Sequence, residues 1–160
     1  MVMAIAKRLL SYLREKEVGY LLLPHPRSGS SMETAERAHV PGDVLAKGVL
    51  VRDGERYTLV VVPSDYHIEL ERLRILLGRD VDMASEPELE AFFSDCERGA
   101  VPPIGPAYGV ETLWDPETSL GREPQVYFEA GDHEHLVCVT GEQFHELLSP
   151  AVRGHFSHHI

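Results

Sequence analysis

VLAKGVLVRDGERYTLVVVP, residues 44–63, decides the fold. It reads as two β-strands joined by a turn at Asp53-Gly54, because aliphatic and β-branched residues flank an Asp-Gly pair. In YTLVVV both faces are apolar, which predicts a central strand covered on both sides. VLAKGVLV, residues 44–51, is as apolar but carries Lys47 in its middle. Alternation puts Lys47, Val49 and Val51 on one face and Ala46, Gly48 and Leu50 on the other. A lysine is rarely buried without a partner. The bland explanation is an edge-strand lysine that carries its ammonium out to water. The chemical explanation is the cationic floor of a cleft. A lysine point charge suits a phosphate or a developing oxyanion, and Gly48 beside it leaves room for a ligand or another backbone.

Upstream, Val2, Ile5, Ala6, Leu9, Leu10 and Leu13 form the apolar stripe of an amphipathic helix, with Lys7, Arg8, Ser11, Arg14 and Glu15 opposite. Gly19 turns the chain into YLLLPHP, a short strand ended by Pro24 and Pro26. Ser30 and Glu33 have capping-box spacing, so a helix starts near Ser31 and stops before Pro41-Gly42. Downstream of the two strands, residues 65–77 read as a helix with Tyr66, Leu70, Leu73 and Leu77 on one stripe and Gly78 as the stop. Residues 86–94 read as another, opened by Ser85 with Glu88. ERGAVPPIGPAYG is too rich in proline and glycine for regular structure. VETLW, QVYFEA and HLVCV read as strands, and Thr140 with Gln143 caps a last helix running to about Leu148. The tail RGHFSHHI is expected to fray. Hairpins mixed with helices predict an α+β fold, a mixed, largely antiparallel sheet flanked by helices, in a single domain over residues 1–160. A doubly wound parallel sheet needs a stricter strand–helix alternation.

Composition narrows the function. At 43% hydrophobic and 26% charged residues the chain is an ordinary globular protein. No stretch resembles a signal peptide or reaches membrane-spanning length, so no membrane role is expected. Two cysteines, Cys96 and Cys138, cannot make a disulfide framework, which points to a reducing, cytoplasmic location. The net charge of −11 repels nucleic acid at long range, so any RNA binding needs a local basic patch or a small footprint.

Three further stretches carry candidate chemistry. In GAVPPIGP, residues 99–106, Pro102-Pro103 stiffens the loop and the flanking glycines allow unusual backbone angles. It reads either as a rigid connector or as a preorganised loop whose N–H groups at Gly99, Ala100 and Val101 grip a carbonyl. In AGDHEH, residues 130–135, Gly131-Asp132 reads as a tight turn, with His133 and His135 alternating onto one strand face. Asp132 or His133 lining a small pocket fits better than a metal site, since the spacing matches no specific zinc pattern. Asp95 and Glu97 beside Cys96 raise its pKa, which argues against a nucleophile. Cys138 belongs to the core, and His155, His158 and His159 to a flexible tail.

METAERAHVPGDVLAKGVLVRDG, then GAVPPIGP, then VYFEAGDHEHLVCVTGEQF, in that order, resembles the YbaK/prolyl-tRNA-synthetase-associated domain, a family of aminoacyl-tRNA editing domains. The likeness runs from about residue 20 to 148. It implies a free-standing deacylase that hydrolyses the ester linking a wrong amino acid to tRNA, with no cofactor and no metal. Lys47 matches the family's strand lysine, Gly99, Val101, Pro102 and Pro103 its glycine-proline loop, and Gly131 and Asp132 its late turn. The chain departs in having Lys47-Gly48 where many relatives have a polar residue after the lysine. The residues and the resemblance together assign catalysis to Lys47, Gly99 and Asp132, and substrate binding to Gly48, Ala100, Val101, Pro102, Pro103, Gly131, His133 and Ser31.

The implied mechanism needs no nucleophilic side chain. Lys47 anchors a phosphate or polarises the ester, the loop amides hold the carbonyl, and a positioned water attacks. The implied substrate is the acceptor end of tRNA(Pro) carrying alanine, serine, cysteine, threonine or 2-aminobutyrate, with a prolyl-tRNA synthetase as a partner. Arg27, Lys47, Arg52 and Arg98 are the candidate basic rim. The competing classes are a non-catalytic module for an amino-acid-like or nucleotide ligand and a metal hydrolase using Asp132, His133 and His135.

Overall fold

A computed structural model describes residues 5–27, 31–149 and 151–159, apart from the side chains of Ser31 and Met32. The chain runs α1 (Lys7–Glu15), β1 (Leu21–Pro24), α2 (Ser31–Ala38), β2 (Leu45–Asp53), β3 (Arg56–Pro63), β4 (Tyr66–Ile68), α3 (Leu70–Leu77) and β5 (Asp82–Met83). It continues through α4 (Glu86–Phe92), β6 (Glu111–Trp114), β7 (Gln125–Glu129), β8 (His135–Thr140), α5 (Gly141–Leu147), β9 (Val152–Arg153) and β10 (Ser157–His159).

The sheet is mixed and largely antiparallel, in the order β1-β8-β7-β2-β3-β6-β9, with β5 pairing the far end of β2. β2 and β3 form the long antiparallel hairpin read from the sequence, in register from Ala46 with Pro63 to Asp53 with Arg56. Its turn falls at Gly54-Glu55, one residue later than read, with Gly54 at a φ of +59°. β3 lies between β2 and β6, and Leu59, Val60, Val61 and Val62 are all buried, as both-face apolarity requires.

Each face of the sheet has its own core. On one, Leu9 and Leu13 of α1 and Phe144 of α5 pack on Ala46, Val61, Phe128 and Val137. On the other, α3 brings Leu73 against Val51, Val60 and Val62, and α2 brings Ala35 towards Leu45 and Leu136. The capping boxes at Ser85/Glu88 and Thr140/Gln143 both form, although the helix after Ser85 ends at Phe92. Ser30, with the capping box expected there, and Val2 lie outside the described residues.

Two expectations are corrected by partners distant in sequence. The helix expected over 65–77 begins only at Leu70, because Tyr66, His67 and Ile68 pair with His159, His158 and Ser157. The tail does not fray: Phe156 is fully buried in the cluster of Val60 and Leu73, and Gly154 N–H donates to Trp114 O at 3.1 Å. Periodicity registers a stripe within a segment and is blind to a strand partner at the other end of the chain.

Phe156→Ala is therefore expected to cost about 3–5 kcal/mol of stability, measured by urea unfolding, the range for truncating a buried phenylalanine. A frayed tail would give no change.

Candidate active site

The site begins where two parallel strands part. β2 and β7 pair only at Leu45 with Tyr127 and Ala46 with Phe128. β5 becomes the neighbour of β2 only from Val51 onward. The proline loop packs on the sheet face of Ala46, Gly48 and Leu50: a Cβ on Gly48 would stand 3.2 Å from Pro103 Cα and 3.1 Å from Leu59 Cδ1. Gly48 thus admits the loop backbone, one of the two uses expected of it.

Lys47 is not an edge-strand lysine, because β2 is an interior strand. It is half-buried, and Nζ donates to Ser64 O at 3.4 Å. Burial lowers its pKa, with the nearby Asp65 carboxylate pulling the other way. Ala46 and Phe128 both pack towards α1 and α5. The residues that follow them, Lys47 and Glu129, therefore project from the opposite face on adjacent strands.

Glu129 is buried at the end of β7, and its Oε1 accepts from Thr34 Oγ1 of α2 at 3.0 Å. Oε2 is buried without a partner among the described residues, and burial raises the pKa of the carboxyl, offset by the hydrogen bond from Thr34. The imidazoles of His133 and His25 are also buried. His25 Nδ1 lies 2.8 Å from Pro26 O, and His133 Nε2 meets Arg98 O. A carbonyl only accepts, so in the neutral rings those nitrogens carry the proton. That leaves His25 Nε2 and His133 Nδ1 as lone-pair acceptors, both buried and unpartnered among the described residues. The site therefore offers a carboxylate oxygen and two imidazole nitrogens with no donor to satisfy them. That is the chemistry of a pocket for an ammonium group.

The loop supplies donors. Ala100 N–H is already spent on Glu97 O at 3.0 Å, which corrects the expectation for that amide. Among the described residues, Gly99 N–H and Val101 N–H have no acceptor. Gly99 has a φ of +82°, and a Cβ there would meet the His133 ring at 3.4 Å. Ala100, Val101, Pro102 and Pro103 are buried, so the loop is held rigidly against the sheet. Ser31 stands at the start of α2, and its side chain lies outside the described residues.

The late turn is clamped on both sides. Ala6 N–H donates to Ala130 O and Glu97 N–H to Gly131 O, each at 2.7 Å. A Cβ on Gly131, at a φ of +123°, would meet Ala6 Cβ at 2.9 Å. Asp132 spends its carboxylate within the turn: Oδ1 accepts from Glu134 and His135 N–H at 2.9 Å, and Oδ2 lies 2.7 Å from His135 Nδ1. His133 has a left-handed backbone, φ +61°, and β8 starts only at His135, so the two histidines do not alternate along one strand. Glu129 and His25 had only faint signals in the sequence, a carboxylate ending an apolar strand and a histidine between two prolines.

Other candidates have ordinary explanations. Burial pushes the Cys96 thiol up to about 12, which leaves it unreactive. Among the described residues, the metal-type group has its donor atoms within 4.8 Å at Asp115, Glu117 and His155, not at the late turn. The expected basic rim is neutralised: Arg27 pairs with Glu97 at 2.9 Å, Arg52 with Glu88 at 3.0 Å and Arg98 with Glu86 at 3.4 Å. Among the described residues no helix is long and apolar enough to cross a membrane.

The proline loop thus meets Gly48 at one end and His133 of the clamped turn at the other. The family model of the aminoacyl-tRNA editing domain matches residues 25–147, and the chain belongs to that family. Among solved structures, a hypothetical protein is 20% identical with a TM-score of 0.81, over 95% of this chain and all of that one. A candidate trans-editing enzyme for prolyl-tRNA synthetase is 20% identical with a TM-score of 0.78, over 96% of each chain. A candidate signal transduction protein from Marinobacter aquaeolei VT8 is 21% identical with a TM-score of 0.72, over 94% of this chain and 30% of that one. At these identities the likeness is one of fold. A search of curated proteins finds no match.

The raised pKa of Glu129 carries a stability consequence. Its folded value lies above its unfolded one, so stability is lost as pH rises from the ordinary carboxylate range through the raised value. Glu129→Gln removes the buried charge. Its Tm should exceed that of wild type at neutral pH, and the difference should vanish below about pH 4, where both states of the wild-type carboxyl are protonated. A Tm advantage independent of pH would show that buried charge is not the cause.

Proposed function

We propose that the protein hydrolyses the ester of a mischarged aminoacyl-tRNA in the cytoplasm, with tRNA(Pro) carrying a small wrong amino acid as its substrate. The observation that carries this reading is the set of buried acceptor atoms without a donor on Glu129, His25 and His133, together with the free amides of Gly99 and Val101, in a chain of the editing family. The likeness to a candidate trans-editing enzyme for prolyl-tRNA synthetase supports the choice of tRNA and of that synthetase as a partner.

The chemistry follows from donor and acceptor types. Glu129 Oε2 and His25 Nε2 receive the α-ammonium of the aminoacyl group. Gly99 and Val101 N–H take the ester carbonyl and, as water adds, the oxyanion. His133 Nδ1, whose ring lies against Gly99, accepts the proton of the attacking water. The C–O bond to the ribose then breaks, and the ribose oxygen recovers a proton. The products are a free amino acid and an uncharged tRNA. With the amides on the carbonyl, the ammonium of Lys47 serves the phosphate of the terminal nucleotide. Selectivity rests on size: a pocket excludes bulk easily but separates side chains one methylene apart by only about 1–3 kcal/mol.

The test is hydrolysis of tRNA(Pro) charged in turn with alanine, serine, cysteine, threonine and 2-aminobutyrate, with and without chelator. Losing a charged hydrogen bond of about 1.5–3 kcal/mol, Glu129→Gln should lower kcat/KM by about 10- to 100-fold. Lys47→Ala should raise KM. Full activity in Glu129→Gln sinks the ammonium assignment. No hydrolysis of any aminoacyl-tRNA points instead to a module that only binds an amino-acid-like ligand.

A further inference from the structure

The cations of this acidic protein are unevenly satisfied. Arg27, Arg52 and Arg98 of the expected rim are paired with carboxylates, and so are Arg37, Arg56 and Arg79 on other surfaces. Lys7, Arg8, Arg14 and Lys16 of α1 and its C-cap have no carboxylate partner among the described residues, and all four are exposed. Arg8 lies 5.7 Å from the centre of the Tyr108 ring and Lys16 5.6 Å from that of Tyr12, contacts that hold the side chains while leaving their N–H groups to solvent.

These cations border a groove of about 550 Å³ that runs along α1 past Lys7, Arg8 and Lys16 to Pro106 and Ala107. A second, of about 330 Å³, shares Lys7 but is acidic, lined by Asp95, Glu97 and Asp132, so the basic footprint is the first groove. Arg14 flanks the first, and Glu15 is the one carboxylate of α1 within it. α1 is also fixed relative to the late turn, through Ala6 N–H on Ala130 O and through Arg8 N–H on Asp95 Oδ2 at 2.8 Å. A ligand lying on α1 is thereby held in register with His133.

We propose that this face of α1 is the seat of the RNA sugar-phosphate backbone leading to the acylated 3′ end. The inference rests on the reading of the site as an aminoacyl-tRNA pocket. That reading favours RNA over an acidic protein, because the phosphates continue directly from the nucleotide whose ester is cut. Arg122 and Arg153 also lack carboxylate partners among the described residues but stand singly, so with a net charge of −11 a polyanion is steered to α1, where four such cations lie within ten residues.

Fluorescence anisotropy of labelled, uncharged tRNA tests it without catalysis. Lys7→Ala/Arg14→Ala/Lys16→Ala should weaken binding at least tenfold and lower the slope of log K against log salt by about 2–3, near 0.9 for each phosphate no longer neutralised. The charge-matched control Arg56→Ala/Arg72→Ala/Arg153→Ala should change neither, and Glu15→Gln should tighten binding. Equal affinities for the α1 triple and the control overturn the proposal. So does binding of poly-glutamate at α1 with no binding of RNA, which would assign the face to an acidic protein. Hydrolysis of an aminoacyl ester on a CCA trinucleotide by the wild-type protein is read separately. Its failure removes the deacylase reading, while the anisotropy result still decides whether α1 holds RNA.

Discussion

The parallel contact between β2 and β7 lasts for two residue pairs and then stops, and the rest of the site depends on that parting. Had the strands stayed paired, Lys47 and Glu129 would be neighbours on a continuous sheet surface with no opening between them. Because they part, the backbone at Gly48 is left without a strand on one side. The loop at Pro103 packs on the sheet face there, where a side chain at position 48 would crowd the loop backbone. The same loop then presents Gly99 to His133.

These residues have the marks of a site kept at the expense of stability. Buried carboxylates and imidazoles are normally satisfied, since an orphaned polar atom forfeits its hydration with no return. Here Glu129, His25 and His133 each retain one such atom. Thr34, Pro26 and Arg98 each satisfy one polar atom of a group and leave the other. That division fixes the orientation of the groups and leaves a single chemical character, acceptance, on the remaining atoms.

The sequence was informative where a feature is local. The hairpin around Gly54, the buried β3 and the caps at Ser85 and Thr140 are written in adjacent residues, and the structure has them. Lys47 stood out because a charge in an apolar run conflicts with its surroundings. Features made by distant partners were invisible. β4 looked helical because its partner is β10, at the far end of the chain. Glu129 looked like an ordinary carboxylate at a strand end because Thr34 of α2 and the two imidazoles are remote from it in sequence. The basic rim failed for a related reason, since the acid that neutralises each arginine comes from a different segment.

The clamp at Ala6 and Ala130 also bears on synthesis. Lys47 and its hairpin leave the ribosome early and can close through a two-residue turn, but the hydrogen bond from Ala6 and the seat for His133 need the chain to have reached the late turn. Contacts of such sequence separation are slow to form, because the intervening chain must first give up its freedom. A growing polypeptide of this protein thus carries its lysine hairpin before the late turn has emerged, and Ala6 and Ala130 must meet before that turn is clamped.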